Sequence, residues 1–164
     1  MSRTSFGRGR PRIGVMGWAL RGAAAGAAGT TALDLVTYLD MTVRGRPSSS
    51  TPERTVEKLA EKAHLTIPGQ GVERASRLEG LGALTSLVVG VGIGGLLGLA
   101  RASGLRAGTL LTTVTVLVST NGAMTVLRVT DPRTWSAADW LSDLVPHLAY
   151  AAVVTTTMDA LDRP

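Results

Sequence analysis

Two stretches of 21 residues, 80–100 and 107–127, contain no charged side chain. Wound as α-helices at about 1.5 Å per residue, each covers roughly 30 Å, the thickness of a bilayer's hydrocarbon core. A water-soluble bundle with two wholly uncharged helices of that length would be unusual. Only Arg101-Ala-Ser-Gly-Leu-Arg106 separates the two runs, so the pattern predicts a transmembrane hairpin.

Two weaker apolar segments flank this pair. The first, approximately 13–43, contains Arg21, Asp34 and Asp40. The last, approximately 137–161, contains Asp139, Asp143, His147 and Asp159, around an uncharged stretch at 144–158. In a bundle such polar positions can face neighbouring helices or lie at the membrane interface. The competing reading lays one or both segments on the surface as amphipathic helices. The expectation is an all-α integral membrane bundle of four transmembrane helices, at about 13–43, 80–100, 107–128 and 137–161. It forms one domain over 1–164 in the inner (plasma) membrane.

The polar segment 44–79 has its own local signals. Pro47-Ser-Ser-Ser-Thr-Pro52 reads as a turn and helix start, with Ser50 or Thr51 as cap and Glu53 in the first turn. Val56, Leu59, Ala60 and Ala63 then share one face of a short amphipathic helix, which Pro68-Gly69 ends. Its place is against the membrane or the end of the bundle. A sharper start is expected near 136. Ser136 and Asp139 have capping-box spacing, and Trp135 and Trp140 sit where a hydrophobic staple would form.

Charge and composition narrow the function classes. Seventeen Lys+Arg against twelve Asp+Glu give a net charge of +5, a balance that invites a nucleic-acid reading. Position argues against it, because most basic residues flank apolar runs and form no stripe with interleaved aromatics. Arg3, Arg8, Arg10, Arg12, Arg101 and Arg106 favour a cytoplasmic N-terminus, while the seven Lys+Arg of 44–79 pull the other way. The N-in, C-in arrangement is the expectation. The apolar stretch 13–20 is short and broken at Arg21, so no cleaved signal peptide is expected despite Ala23-Ala24-Ala25. With no cysteine there is no disulfide, zinc-thiolate site or thiol nucleophile. Gly90-Val-Gly92-Ile-Gly-Gly95 matches a dinucleotide-binding string, but it lies inside an uncharged span with no preceding strand. No catalytic residue, metal site or cofactor is expected.

The functional candidates are therefore packing residues and intramembrane polar groups. Gly82, Ser86, Gly90, Gly94 and Gly98 recur every four residues, and Gly22, Gly26 and Thr30 do the same in the first segment. Small side chains let helix backbones approach closely, either within the chain or between copies of it. Asp34 and Tyr38 continue the Gly22 series at four-residue steps, so Asp34 is either a buried, partnered carboxylate or an interfacial one. Asn121 carries an amide that one helix cannot satisfy alone. Asp143 and His147, one turn apart with Tyr150 beyond, could relay protons or bind a metal, although a structural role is the simpler reading.

Longer strings carry a resemblance. Gly-Ala-Ala-Gly-Thr-Thr-Ala-Leu-Asp34-Leu-Val-Thr-Tyr38, Arg44-Gly-Arg-Pro47, Asp131-Pro-Arg-Thr-Trp135 and Pro146-His147-Leu-Ala-Tyr150 resemble small uncharacterised actinobacterial multipass membrane proteins. More distantly, the glycine-rich first span and late His-x-x-Tyr are similar to four-span inner-membrane proteins of the YagU type. The resemblance implies a helical multipass protein and brings no activity with it. The expected function is a non-catalytic structural or accessory component of a membrane assembly. Its partners would be the bilayer and either a larger complex or a second copy of the chain. The alternative is a proton-linked transporter or channel using Asp34, Asn121, Asp143 and His147.

Overall fold

The computed structural model describes residues 13–163, in which every regular element is helical. Five α-helices follow one another: α1 (Val15–Arg44), α2 (Thr51–Lys62), α3 (Gly71–Ala102), α4 (Thr109–Val126) and α5 (Ala137–Asp162). A single 3-10 turn, Pro132–Thr134, precedes α5. Arg3, Arg8, Arg10 and Arg12, on which the expected N-terminal orientation partly rests, lie outside the described residues.

The four long helices alternate in direction, and their spatial order differs from their order in the chain. α1 packs against α3 on one side and α5 on the other, while α4 packs only on α5 to any extent. The resulting sequence across the bundle is α3, α1, α5, α4. The anticipated hairpin is therefore splayed. α3 and α4 are consecutive and antiparallel but have hardly any contact with each other. The apolar core lies where α1, α4 and α5 meet, at Ala25, Val116, Tyr150, Val154 and Met158, with Leu33, Ile93 and Leu97 packed around it.

Helix ends follow the local chemistry. At the start of α5, Ser136 accepts a bond from the Asp139 amide while Asp139 accepts one from the Ser136 amide. Trp135 and Trp140 meet edge to face, with ring centroids 5.1 Å apart, so the expected staple is formed. Ser50 is the N-cap of α2 but makes no side-chain cap bond; Ser49 bonds the Thr51 amide instead. α2 ends at Lys62, five residues before Ile67 and well short of Pro68. The ends of α2, α3 and α4 share one closure, in which an amide bonds a carbonyl five residues back: Leu65 to Ala60, Leu105 to Ala100, and Val129 to Met124. The residue before each of those amides is left-handed: His64, Gly104 and Arg128.

α2 rests on the first turns of α3. Its Val56 and the Leu78 of α3 are buried, and Glu57 pairs with Arg74 at 2.8 Å. The polar start of α3 thus stands beyond the apolar part of that helix and carries α2 at the bundle's end.

Among the described residues, only α3 and α4 are both long enough and apolar enough to cross a membrane; α1 and α5 have the length but are less apolar. In the core helix of a soluble protein such segments are mostly covered. Here only 11% of the most apolar stretch of α3 is buried, and 22% of that of α4.

Candidate functional site

Two helix seams contain most of the residues that the sequence pattern singles out, while Gly82, Ser86, Asp34 and Tyr38 lie outside them. Between α1 and α3 the contact is backbone on backbone. A Cβ placed on Gly22 would strike the Gly94 carbonyl and Gly98 backbone, and one on Gly94 would strike Gly22 and Gly26. A Cβ on Gly98 would meet the Trp18 carbonyl and Gly22. Gly26 faces Gly90 and Gly94, while Gly90 lies against the hydroxyl of Thr30. That hydroxyl donates to the Gly26 carbonyl at 2.9 Å, so it needs no partner on α3.

The rest of the α3 ladder departs from this seam. Gly82 faces Pro52 and Glu53 at the start of α2, and Ser86 is exposed. Helical geometry explains the split, since a four-residue step advances the face by about 40°. Gly90, Gly94 and Gly98 stay within one contact face, whereas Gly82 has rotated about 120° from Gly94. The same drift acts on α1. Tyr38 is 60% exposed, and the half-buried Asp34 makes no hydrogen bond or ion pair among the described residues.

The α4–α5 seam is polar. Asn121 is buried and donates from Nδ2 to Oδ2 of Asp143 at 2.8 Å. Nδ1 of His147 lies 2.7 Å from the Asp143 carbonyl and 3.4 Å from its Oδ1. Bonding to that carbonyl requires a proton on Nδ1, which fixes the neutral tautomer and leaves Nε2 as the basic nitrogen. Thr109 and Thr155 join hydroxyls at 2.9 Å nearer the other end of the seam. Of the five anticipated polar residues, Asn121, Asp143 and His147 therefore come together, while Asp34 and Tyr38 do not join them.

What this trio can do is limited by its neighbours. One carboxylate, one imidazole and an amide can hold or pass a proton, but no group of three His, Cys, Asp or Glu able to bind a metal exists among the described residues. The Oδ1 of Asn121 is buried without a partner, a cost the seam carries inside an otherwise bonded cluster.

Four further residues, Tyr150, Gly29, Arg101 and Arg21, hold the bundle through contacts that the sequence pattern did not show. Tyr150 is 1% exposed, and its phenol donates to the Gly90 carbonyl at 2.6 Å, linking α5 to α3. Gly29 makes this possible, since a Cβ there would collide with the Tyr150 ring and Val154. Arg101 belongs to the last turn of α3; its side chain is 6% exposed and pairs with Asp159 and Asp162 of α5. Arg21, an apparent break in the first apolar segment, donates to the Leu161 carbonyl at 2.7 Å and lies 5.8 Å from the Trp18 ring centroid. Its charge thereby satisfies an end carbonyl of α5, where cations are favourable. The only sequence signal for these last contacts was the position of Arg101 and Asp159 near span ends.

Two clefts open between the helices, both towards the bundle's ends. One of about 210 Å³ is lined by α3, α4, α5 and the 103–108 link. The other, about 260 Å³, lies between α1 and α5 and includes Asp40, Arg44 and Ser142. Asp40 there accepts from Arg46 at 2.5 Å, and Arg44 bonds Ser142 at 2.9 Å.

Compared with known proteins, the chain matches no family model, no curated protein and no solved structure.

Proposed function

We propose that this chain is a four-span membrane protein and a non-catalytic structural or accessory component of a membrane assembly. The observation that carries the reading is the uncovered apolar surface of α3 and α4, set against an interior where glycine seams surround a small core of Ala25, Val116, Tyr150, Val154 and Met158. Leu84, Val88 and Leu96 of α3, with Leu110, Val114 and Val118 of α4, are all more than half exposed. So much exposed apolar surface on two helices is unfavourable in water and favourable in lipid. α1 and α5 cross alongside them, with Arg21 and Asp40 at opposite ends and Asp143 and His147 turned towards α4. The end containing 101–106 and 163 faces the cytoplasm in this reading. The resemblance to small actinobacterial multipass proteins and, further off, to the YagU type agrees with such a bundle.

Because the sequence lacks cysteine, single cysteines test the topology directly. Ser49→Cys and Arg133→Cys are expected to react with a membrane-impermeant maleimide in intact cells, whereas Arg106→Cys and Arg163→Cys react only after permeabilisation. Equal labelling of all four overturns the four-span arrangement. For the accessory role, extraction in mild detergent is expected to retain a larger partner at fixed stoichiometry, unaffected by His147→Ala. Recovery of a lone monomer overturns it.

A transporter remains the second reading, favoured by the Asn121–Asp143–His147 contacts. Proton-coupled flux in liposomes that disappears with Asp143→Asn or His147→Ala would replace the accessory role.

A further inference from the structure

The glycine seam sets the depth of Asp34. Thr30 lies against Gly90, and Gly90 is the midpoint of the uncharged run 80–100. One turn beyond Thr30, Asp34 stands about 6 Å from that level, well inside a hydrocarbon half-layer of about 15 Å. Arg21 and Asp40 lie about 14 and 15 Å from Thr30 along the helix, at the edges of the layer. Asp143, the other carboxylate at depth, has Asn121 and His147 beside it. Asp34 makes no hydrogen bond or ion pair among the described residues, and its carboxylate is open rather than sealed in the bundle.

The surface at the same level is bare. Of residues 83–89 in α3 all but Thr85 are exposed, and seven consecutive residues take in every side of a helix. Ser86, one turn before Gly90, is among them, so a small side chain stands on α3 at the depth of Asp34. On α1, Thr31 and Tyr38 border Asp34 at three and four residues, and both are exposed.

An open carboxylate at this depth is unfavourable against lipid alone and is balanced by a cation. This chain has none to give. Residues 22–43, 78–100, 107–127 and 137–162 contain no Lys or Arg. Arg21, Arg44 and Arg101 are engaged at the span ends. A second copy of the chain therefore lacks the complementary charge.

We infer that the face around Asp34 docks the membrane-spanning helix of a different protein, one that carries a Lys or Arg at the matching depth. Its ammonium or guanidinium donates to the Asp34 carboxylate, and Thr31 and Ser86 leave room for the approaching helix. The inference rests on the accessory role given above and names the chemistry of the partner.

Energy transfer in phosphatidylcholine liposomes tests it, with the full chain labelled at Ser49→Cys. The probes are a synthetic Leu-Ala helix carrying one Lys a turn from its centre, and the same helix with Leu in that place. The Lys helix is expected to associate about tenfold more tightly than the Leu helix. Asp34→Asn, at a side chain with no bond for the fold to lose, is expected to erase the difference, and Asp34→Glu to keep it. Equal association of both helices with the wild type overturns the assignment, as does a preference that survives Asp34→Asn. In native membranes, a photo-crosslinking residue in place of Tyr38 is expected to capture a protein with Lys or Arg inside its span, and to lose it with Asp34→Asn. Capture of a second copy, or of lipid alone, overturns the assignment. A partner retained in detergent irrespective of Asp34 keeps the accessory role and removes this surface. A chain that does not float with liposomes overturns the membrane reading too.

Discussion

The α1–α3 and α4–α5 seams each join an antiparallel pair of helices, but in opposite ways. The first uses the absence of side chains: Gly22, Gly26, Gly90, Gly94 and Gly98 bring two backbones into contact. The second uses side chains that reach across, in Asn121 with Asp143 and Thr109 with Thr155. A backbone seam has no slack, since its atoms cannot rotate away from an added methyl. A side-chain seam can re-pair or admit water at its ends. Tolerance to substitution should therefore differ sharply between the two.

Gly94→Ala is the severest test, because both Gly22 and Gly26 present backbone to the new methyl. It is expected to cost on the order of 3 kcal/mol, as for overpacking in a core that cannot shift. Thermal unfolding in detergent would show it, and an unchanged midpoint would remove the distinction between the seams. Tyr150→Phe, which deletes the bond that ties α5 to Gly90, is expected to cost about 1 kcal/mol while leaving the ring's packing in place. On the polar seam, a double-mutant cycle of Asn121→Ala and Asp143→Ala should give a coupling near 0.6 kcal/mol, the usual scale for side-chain bonds between helices in lipid. A coupling above about 2 kcal/mol would make the α4–α5 seam as exacting as the glycine one. Gly92→Ala completes the series, since a Cβ there meets nothing within 4 Å. It is expected to be neutral or to stabilise the helix by up to about 1 kcal/mol. A large loss at Gly92 would mean that glycine count, not contact, governs α3.

The same contrast explains what the sequence disclosed. Hydropathy located the apolar parts of α3 and α4, and capping chemistry placed the start of α5 at Ser136. Both are local properties, written within a turn or two of chain. Neighbour relations are not local. Nothing in residues 80–127 says that α3 packs on α1 while α4 packs on α5. The candidate site was legible to the same degree. Asp143 and His147 were paired by their spacing on one helix, whereas Asn121 was identified alone, and its meeting with Asp143 depended on the pairing of helices. Asp34 and Tyr38 were placed on the Gly22 face by spacing alone, and accumulated rotation carried them off it. Arg101 looked like a residue of a connecting loop, because the uncharged run stops before it; the helix continues to Ala102 and buries it.

The displaced position of α4 also has a consequence in time. The α1–α3 seam is complete once Ala102 has been synthesised, whereas α4 has no substantial neighbour until α5 follows it. Thirty-six residues separate the last residue of α4, Val126, from the last of α5, Asp162. At about 5–20 residues per second, α4 waits roughly 2–7 s for its partner. During that interval Asn121 has neither Asp143 nor a glycine surface to rest on. The growing chain thus passes through a stage in which one half is assembled and the other is a single unpaired helix.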